Sequence, residues 1–469
     1  MENTTYDVKI WSARKYKGKN GTTSTVRWKV GKKAWPETFP TSALADSFRS
    51  ELKTAVNRGE AFSLTTGRPV SWTKREEVSW YAFVCRYVDD HWKGVSGNHR
   101  KDRARILTDA TEVLWKKTTG KPQRDLIRKA LQAWSYNAEH RDTDKPADIA
   151  SAIHWIEQNT VPLSAFEDNA TTRTFLARVS EKKDGTRVAA RSAIKAKRVL
   201  SHLFDYAVEC GHLKVNPLSQ VKWKAPKVSQ ELDQTSVPNP QQVRAMVDAI
   251  AAQRPSGPRL EAFFSTLYLS ALRPEEAVNL KWSAVHLQPR VWDPEQEQWC
   301  DPEPEKDWGR LIVREVTPDV GKRWTDSGRQ RDRRQPKGRA ENESRPVPCS
   351  PRLSRILRAH RDEFGEGPDG LVFFGVRGHQ LATGVYRQAW HRARKTVFTK
   401  EQQESTLAQV PYDLRRACVS TWLNEGISPA QVAAWAGHSQ EVLLRVYAKC
   451  IDGNEERDKR RGAKGFEGF

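Results

Sequence analysis

Alternation of apolar and basic side chains is the first pattern in the chain. Val26, Trp28 and Val30 alternate with Arg27 and Lys29, which is the period-two pattern of a half-buried strand. The KGKNG sequence that precedes this stretch predicts a turn between two strands. We therefore predict a small sheet that has a basic outer face.

A helix follows the predicted sheet. Residues 42–59 carry the periodicity of a helix capped by Ser42 and ended at Gly59. The sheet and this helix predict a compact module over residues 1–64, whereas the glycine and proline of residues 65–72 indicate a linker.

Helical periodicity dominates residues 73–225. Apolar and aromatic residues recur there at spacings of three and four, in the stretches VSWYAFVCRYVDDHW, DLIRKALQAWSY, IASAIHWIEQN and AIKAKRVLSHLFDYAVECGHL. We predict a helical bundle with basic residues on its outer faces.

A proline-rich polar stretch, residues 226–240, indicates the linker to a third domain over residues 238–455. Asn239 as cap and Pro240 in the first turn predict its first helix. GRLIVREV and SRPVPCS predict strands on either side of a basic run, and helices resume after them. Residues 456–469 form a charged tail. The predicted fold class is therefore mainly α with small sheets (α+β).

The composition narrows the function. Lysine and arginine number 79 against 58 acidic residues, a formal net charge of +21, which points to a polyanionic partner. The six cysteines form no CxxC pair and no zinc-finger spacing, so we expect reduced thiols, no metal and no cofactor. The N-terminus does not resemble a signal peptide, and no long apolar stretch occurs. We expect a cytoplasmic protein without membrane contact.

Two stretches carry residues suited to phosphodiester chemistry. LYLSALRPEEAVNLKW contains Arg273 and Glu276; alone, such a pair is usually a surface ion pair on a helix. PYDLRRACVSTWLNEGISPAQVAAWAGHSQEVLLRVYAKC contains Arg415, then His438, then Tyr447 nine residues later. Taken singly, His438 could be a helix cap and Tyr447 the aromatic end of an apolar helical stripe. Metal-free cleavage of DNA needs a nucleophile, cations for the phosphate oxygens and an acid for the leaving oxygen, and arginine matches phosphate geometry best.

In this order, the residues resemble the tyrosine recombinase family, which includes the phage-type integrases. The resemblance implies that Arg273 and Arg415 hold the scissile phosphate and that Glu276 buttresses them. It also implies that His438 donates a hydrogen bond to the phosphate and that Tyr447 attacks it.

Two positions stay open within this resemblance. The family's general acid is a lysine on a hairpin between the two arginine stretches; Lys337 is the first candidate and Lys322 the alternative. Tyr412 stands where the family usually has a histidine. Its phenol can donate to the phosphate but accepts protons poorly at neutral pH. Tyr412 is also a rival nucleophile, although the spacing after His438 favours Tyr447.

The resemblance implies a site-specific recombinase that integrates or excises a mobile genetic element through a 3′-phosphotyrosine intermediate. Residues 1–64 would be an arm-type DNA-binding module and residues 73–225 the core-binding domain. The implied partners are double-stranded attachment sites, three further copies in a tetramer, and an excisionase or DNA-bending protein. A housekeeping dimer-resolving recombinase, a type IB topoisomerase and a catalytically silent DNA-binding regulator are the alternatives.

Overall fold

The fold is taken from a computed structural model of the chain. It describes residues 4–18, 21–72, 77–182, 184–227, 232–303, 305–335, 343–451, 459–460 and 463. Helices dominate and the sheets are small, so the predicted class, mainly α with small sheets, is confirmed. Within the described part of the chain, no helix combines the length and apolar character that crossing a bilayer requires.

The N-terminal region is an antiparallel sheet covered by one helix. Strand β4 lies in its centre and pairs with β2, β3 and β5. The elements are β1 (Thr4–Thr5), β2 (Val8–Ile10), β3 (Arg14–Gly18), β4 (Gly21–Val30), β5 (Lys33–Phe39), α1 (Ser42–Asn57) and β6 (Phe62–Ser63). Along β4, Val26, Trp28 and Val30 are buried while Arg27 and Lys29 are exposed. The alternation therefore predicted this strand and its faces correctly.

The cap of α1 differs from the prediction. Thr41 is the N-cap, in extended geometry, and its Oγ1 accepts a hydrogen bond from the Leu44 amide at 3.3 Å. Ser42 is the first helical residue instead, because the hydroxyl that caps the first turn belongs to Thr41. The helix ends at Asn57, and Gly59 follows with a φ of +70°.

A helical bundle follows, as predicted. Its helices pack around one apolar core that contains Trp80, Phe166, Phe175 and Phe204. The helices are α2 (Trp80–Asp90), α3 (Gly97–Thr111), α4 (Arg124–Ala130), a π-helical turn (Leu131–Ser135), α5 (Ala147–Asn159), α6 (Asn169–Val179), α7 (Ala190–Glu209) and α8 (Pro217–Gln220).

The third region combines helices with a three-stranded sheet in the order β11-β10-β7. Its strands are β7 (Val285–His286), β8 (Val291–Asp293), β9 (Gln298–Cys300), β10 (Gly309–Val313) and β11 (Arg345–Cys349). Its helices are α9 (Pro240–Ala251), α10 (Gly257–Ser270), α11 (Pro274–Ala277), α12 (Pro351–Phe364), α13 (Thr383–Val397), α14 (Lys400–Glu404), α15 (Asp413–Asn424), α16 (Pro429–Ala436) and α17 (Gln440–Ile451). Asn239 and Gln242 form a reciprocal cap at the start of α9, which confirms that predicted helix start.

One feature of this region was not predicted, and a second lies where the resemblance implied a hairpin. Strands β8 and β9 form a separate hairpin on which Trp292 and Trp299 lie exposed, with ring centroids 5.6 Å apart. In addition, residues 316–334 fold back on themselves as a hairpin between β10 and β11. We refer to residues 316–334 as the connecting hairpin.

Candidate functional site

The first arginine of the site lies at a break between two helices. Helix α10 ends at Ser270, Ala271 adopts a left-handed conformation with a φ of 49°, and Arg273 caps α11. The Glu276 carboxylate turns back to this cap: it accepts from the Arg273 amide at 2.8 Å and pairs with Arg273 Nη1 at 2.7 Å. The Arg273 side chain is therefore held in place by Glu276, a residue in the first turn of α11.

Glu276 lies among three arginines. Its carboxylate is 2.7 Å from Nη1 of Arg273, 2.7 Å from Nη2 of Arg345 and 3.9 Å from Nη1 of Arg415. Burial alone would raise the pKa of Glu276, but Arg345, Arg273 and Arg415 together lower it to about 2. The carboxylate is thus ionised at neutral pH. Three guanidinium groups share one carboxylate, so the cluster keeps an excess of buried positive charge.

Arg415 is the most deeply buried of the three. It lies in the first turn of α15, is fully buried, and donates to the carbonyls of Ala271 and Ala436. Its Nη2 is 2.8 Å from His438 Nε2. Its Nε is buried without a hydrogen-bond partner among the described residues. A buried donor of this kind costs about 1–3 kcal/mol unless an acceptor reaches it.

His438 is held next to Arg415 by the end of α16. Gly437 closes that helix in the left-handed conformation, with a φ of 65°. Burial, and then Arg415, Arg273 and Arg345, lower the pKa of His438 to about 3. A neutral ring has one N–H, and because Nε2 accepts from Arg415, the hydrogen-bond network assigns that proton to Nδ1. This Nδ1, like Arg415 Nε, is buried without a hydrogen-bond partner among the described residues.

Tyr447 lies against His438. Its ring is stacked on the imidazole, with centroids 6.2 Å apart and planes at 27°. The side chain is 3 % exposed and packs with Ala271, Val432 and Leu443. Helix α17 departs from helical geometry at this residue, where φ is −112° and ψ is 16°. The phenol is therefore at the site, buried, and at a break in its own helix.

Tyr412 and Arg273 line a cavity of about 320 Å³ beside this cluster. Tyr412 immediately precedes α15, and its ring lies 6.0 Å from the guanidinium carbon of Arg415 and 5.4 Å from that of Arg416. Six of the predicted residues, Arg273, Glu276, Tyr412, Arg415, His438 and Tyr447, are thus brought together. Tyr412 lies with Arg273 at the cavity, whereas Tyr447 lies against His438.

The two lysine candidates are placed differently. Lys337 lies outside the described residues. Lys322 is described, and it is exposed near the tip of the connecting hairpin.

Arg345 is the residue of this cluster that the sequence interpretation missed. It is 1 % exposed, and its Nη1 donates to the Trp435 carbonyl at 2.6 Å. Burial lowers the pKa of Arg345 to about 10, although Glu276 works in the opposite direction. A Cβ at Gly437 would lie 3.1 Å from this side chain, so glycine leaves the room that the arginine occupies. The available signal was alternation: Arg345 shares a strand face with the buried Val347 and Cys349.

Comparison with known proteins gives distant structural similarity. No family model and no curated protein matches the chain. A solved Tn1549 transposon integrase in complex with transposon right end DNA aligns at TM-score 0.45 and 16% identity, over 71% of this chain and 98% of that one. A lambda integrase dimer bound to a COC' core site aligns at 0.46 and 14%, over 93% and 94%. The XerH recombinase bound to its difH substrate aligns at 0.44 and 11%, over 84% and 98%. None is close enough to transfer a function, which has to rest on this chain's own side chains.

Proposed function

We propose that this chain is a tyrosine-type site-specific DNA recombinase that cleaves and rejoins DNA through a 3′-phosphotyrosine bond. The observation that carries the proposal is the meeting of Arg273, Arg415 and His438, from distant parts of the chain, with Tyr447 stacked on that histidine. A buried excess of positive charge around one carboxylate is suited to a phosphate anion. Two buried N–H donors in the same cluster would be satisfied by its non-bridging oxygens.

The chemistry assigns a role to each group. Arg273, whose side chain is 21% exposed, would contact the phosphate first, and Arg415 Nε and His438 Nδ1 would complete the cradle. The Tyr447 phenol releases its proton to solvent as its oxygen attacks phosphorus, the bond from phosphorus to the 5′ oxygen breaks, and the departing oxygen takes a proton from Lys337 or Lys322. The ester keeps the energy of the broken bond, so attack by a 5′ hydroxyl reverses the step and no ATP is needed.

The phenol has to move before it can attack, because only 3 % of Tyr447 is exposed. The break in α17 at this residue supports such a movement, since residues outside regular helical geometry are where a chain most readily changes its dihedral angles. Tyr412 would act as a neutral hydrogen-bond donor from the side of Arg273.

The N-terminal sheet supports DNA as the partner. Lys9 and Lys29 lie directly opposite each other on β2 and β4, and Arg27 and Arg14 share the same exposed face. Like charges in direct cross-strand register destabilise a sheet unless a polyanion neutralises them. We propose that this face binds duplex DNA as an arm-type module, while the helical bundle and the third region hold the cleavage site.

A selection from randomised duplexes tests the proposal and needs no assumption about the target sequence. Nicked duplexes with a randomised core are incubated with the protein, and adducts that survive SDS are collected and sequenced, because loss of the nicked end traps the covalent intermediate. We expect wild-type protein and Tyr412→Phe to form the adduct and Tyr447→Phe to form none. Adduct retained in Tyr447→Phe and lost in Tyr412→Phe would reassign the nucleophile.

The selection and two further assays separate the alternatives. Tight DNA binding without any adduct would favour the silent regulator. Relaxation of supercoiled plasmid by a monomer, without exchange between two sites, would favour the topoisomerase.

For the recombinase we propose integration or excision of a mobile element by a tetramer that pairs two sites, assisted by an excisionase or DNA-bending protein. Cross-linking of the recovered duplex complex would give the number of subunits.

A further inference from the structure

The connecting hairpin extends away from the third region and reaches the helical bundle. Its two strands are joined at their base by hydrogen bonds in both directions between Val316 and Arg334, at 2.8 and 3.0 Å. Arg331 anchors this base by donating to the carbonyls of Thr317 and Leu381, each at 2.8 Å. The base therefore belongs to the third region.

Two apolar side chains near the tip of the hairpin are buried in the bundle. Val320 is 2 % exposed and Trp324 is 9 % exposed, and both belong to the same apolar core as Trp92 and Leu107. The rings of Trp324 and Trp92 lie 6.3 Å apart. The basic run between β10 and β11 thus contributes two apolar side chains to the core of another region.

Polar contacts surround this apolar insertion. Arg100, only 3 % exposed, donates from Nη1 to Asp326 Oδ1 at 2.5 Å and to the Trp324 carbonyl at 3.4 Å. The Lys101 ammonium lies 3.3 Å from the Val320 carbonyl, and Asn137 Nδ2 lies 2.9 Å from the Arg323 carbonyl. The bundle therefore satisfies main-chain carbonyls that the hairpin would otherwise bury without partners.

Gly97, the first residue of α3, lets the two surfaces approach. Its amide donates to Asp332 Oδ2 at 3.1 Å. A Cβ at this position would come within 2.7 Å of the Trp324 carbonyl oxygen, a main-chain atom that cannot rotate away. The next residue, Asn98, lines the cavity beside Arg273, together with Pro318 and Asp319 from the base of the hairpin.

From these contacts we propose that the connecting hairpin is a clasp that couples the bundle to the phosphate-binding pocket, with Gly97, Arg100 and Trp324 as positioning residues. The proposal rests on the recombinase function proposed above. A bundle that grips DNA would hold the hairpin tip, and the base would hold the wall of the pocket next to Arg273. Small displacements of reacting groups lower rates strongly, by about 10²-fold for 1 Å.

The test compares Gly97→Ala with Gly384→Ala. Alanine favours the helix at both positions, but a methyl group at Gly384 meets nothing within 4 Å, which makes it the matched control. We measure adduct formation under single-turnover conditions at saturating concentrations of the nicked duplex recovered by the selection, and the affinity for that duplex. Gly97→Ala should lower the saturating rate by about tenfold or more, whereas Gly384→Ala should match wild type. Trp324→Phe should recover most of the rate lost in Trp324→Ala.

A second readout does not depend on cleavage. Hydrogen exchange of the free protein should rise in Gly97→Ala both in residues 316–334 and in segment 275–277, where Glu275 lines the cavity beside Arg273. It should be unchanged in Gly384→Ala. Unchanged exchange in segment 275–277 would overturn the clasp, whether or not exchange in the hairpin changes. A normal saturating rate with weakened DNA affinity would also overturn it, because that pattern means that the hairpin only helps to hold DNA. If wild-type protein forms no adduct, the proposed function fails, and exchange in segment 275–277 alone decides for or against the coupling.

Discussion

Two buried arginine clusters lie in the third region, and they differ in their charge balance. Arg358 meets Asp307 through two parallel contacts of 2.6 and 2.8 Å and donates to the Gln288 carbonyl at 2.7 Å. The charges of Arg358 and Asp307 cancel. The remaining guanidinium nitrogen of Arg358, Nε, lies 3.6 Å from the carboxylate of Asp301. The cluster around Glu276 instead has three guanidinium groups for one carboxylate, with a buried Nε left over. A buried cluster whose charges cancel indicates a structural role. A buried cluster with an excess of positive charge indicates a binding site for an anion.

Removing the shared carboxylate should have the largest effect. Glu276→Gln leaves three buried guanidinium groups facing one another, and we expect it to lower the free energy of unfolding by about 3–5 kcal/mol. Arg358→Gln should lower it less, because it leaves one unpaired buried charge, that of Asp307, whereas Glu276→Gln leaves three charges of the same sign. Urea unfolding followed by circular dichroism measures both variants. A larger loss in Arg358→Gln would contradict the charge argument.

Removing one arginine from each cluster should separate activity from stability. Arg273→Gln should lower the single-turnover rate of adduct formation about 10²- to 10³-fold, the usual effect of losing one group that stabilises a transition-state charge. Arg358→Gln, assayed at a temperature where it stays folded, should keep the wild-type rate. Equal losses in the two variants would mean that both act only through folding.

Added sulfate should stabilise only the unbalanced cluster by direct binding. At about ten times its dissociation constant a bound anion adds about 1.4 kcal/mol to the unfolding free energy. Sulfate also stabilises proteins by exclusion from their surface. Arg273→Gln is therefore the control, because its stabilisation by sulfate should come from this exclusion alone. Arg358→Gln should respond to sulfate as wild type does. An identical response in Arg273→Gln would remove the evidence for an anion site.

The smallest effect concerns pH. The pKa of His438 is about 3 in the folded protein, below its ordinary value of 6.5, so between these values the unfolded chain binds one more proton. Stability conferred by this residue is therefore present above pH 6.5 and falls as the pH drops towards 3. From pH 6.5 to 5.5 we expect wild type to lose about 1 kcal/mol more than His438→Asn. Parallel pH profiles for the two proteins would show that His438 is not held neutral.

The sequence predicted the parts of the site that local patterns carry. Arg415, His438 and Tyr447 lie on consecutive elements of one stretch, so their order and spacing are enough to indicate a common role. Arg345 was missed because its burial depends on Gly437, which lies far along the chain. Alternation places Arg345 on the same strand face as Val347 and Cys349, but arginine is almost never fully buried unless it is paired, so the residue type argued against burial.

The packing of the connecting hairpin against the bundle was not predicted either, because it also depends on contacts between distant parts of the chain. Its sequence between residues 321 and 339 is basic and polar, and a single tryptophan in such a run says nothing about where it packs. Trp324 lies 232 positions after its ring neighbour Trp92 (324 − 92 = 232). Contacts at that separation follow from the path of the chain and not from local periodicity. The faces of β4, in contrast, followed directly from alternation.

The burial of Val320 and Trp324 in the same core as Trp92 and helix α3 bears on how the molecule can be dissected. A fragment cut at the proline-rich stretch after residue 225 would leave the helical bundle with an uncovered apolar notch where those two side chains belong. Truncated pieces of this kind tend to self-associate through such notches. We therefore expect a bundle fragment to be more soluble when residues 316–334 are supplied alongside it.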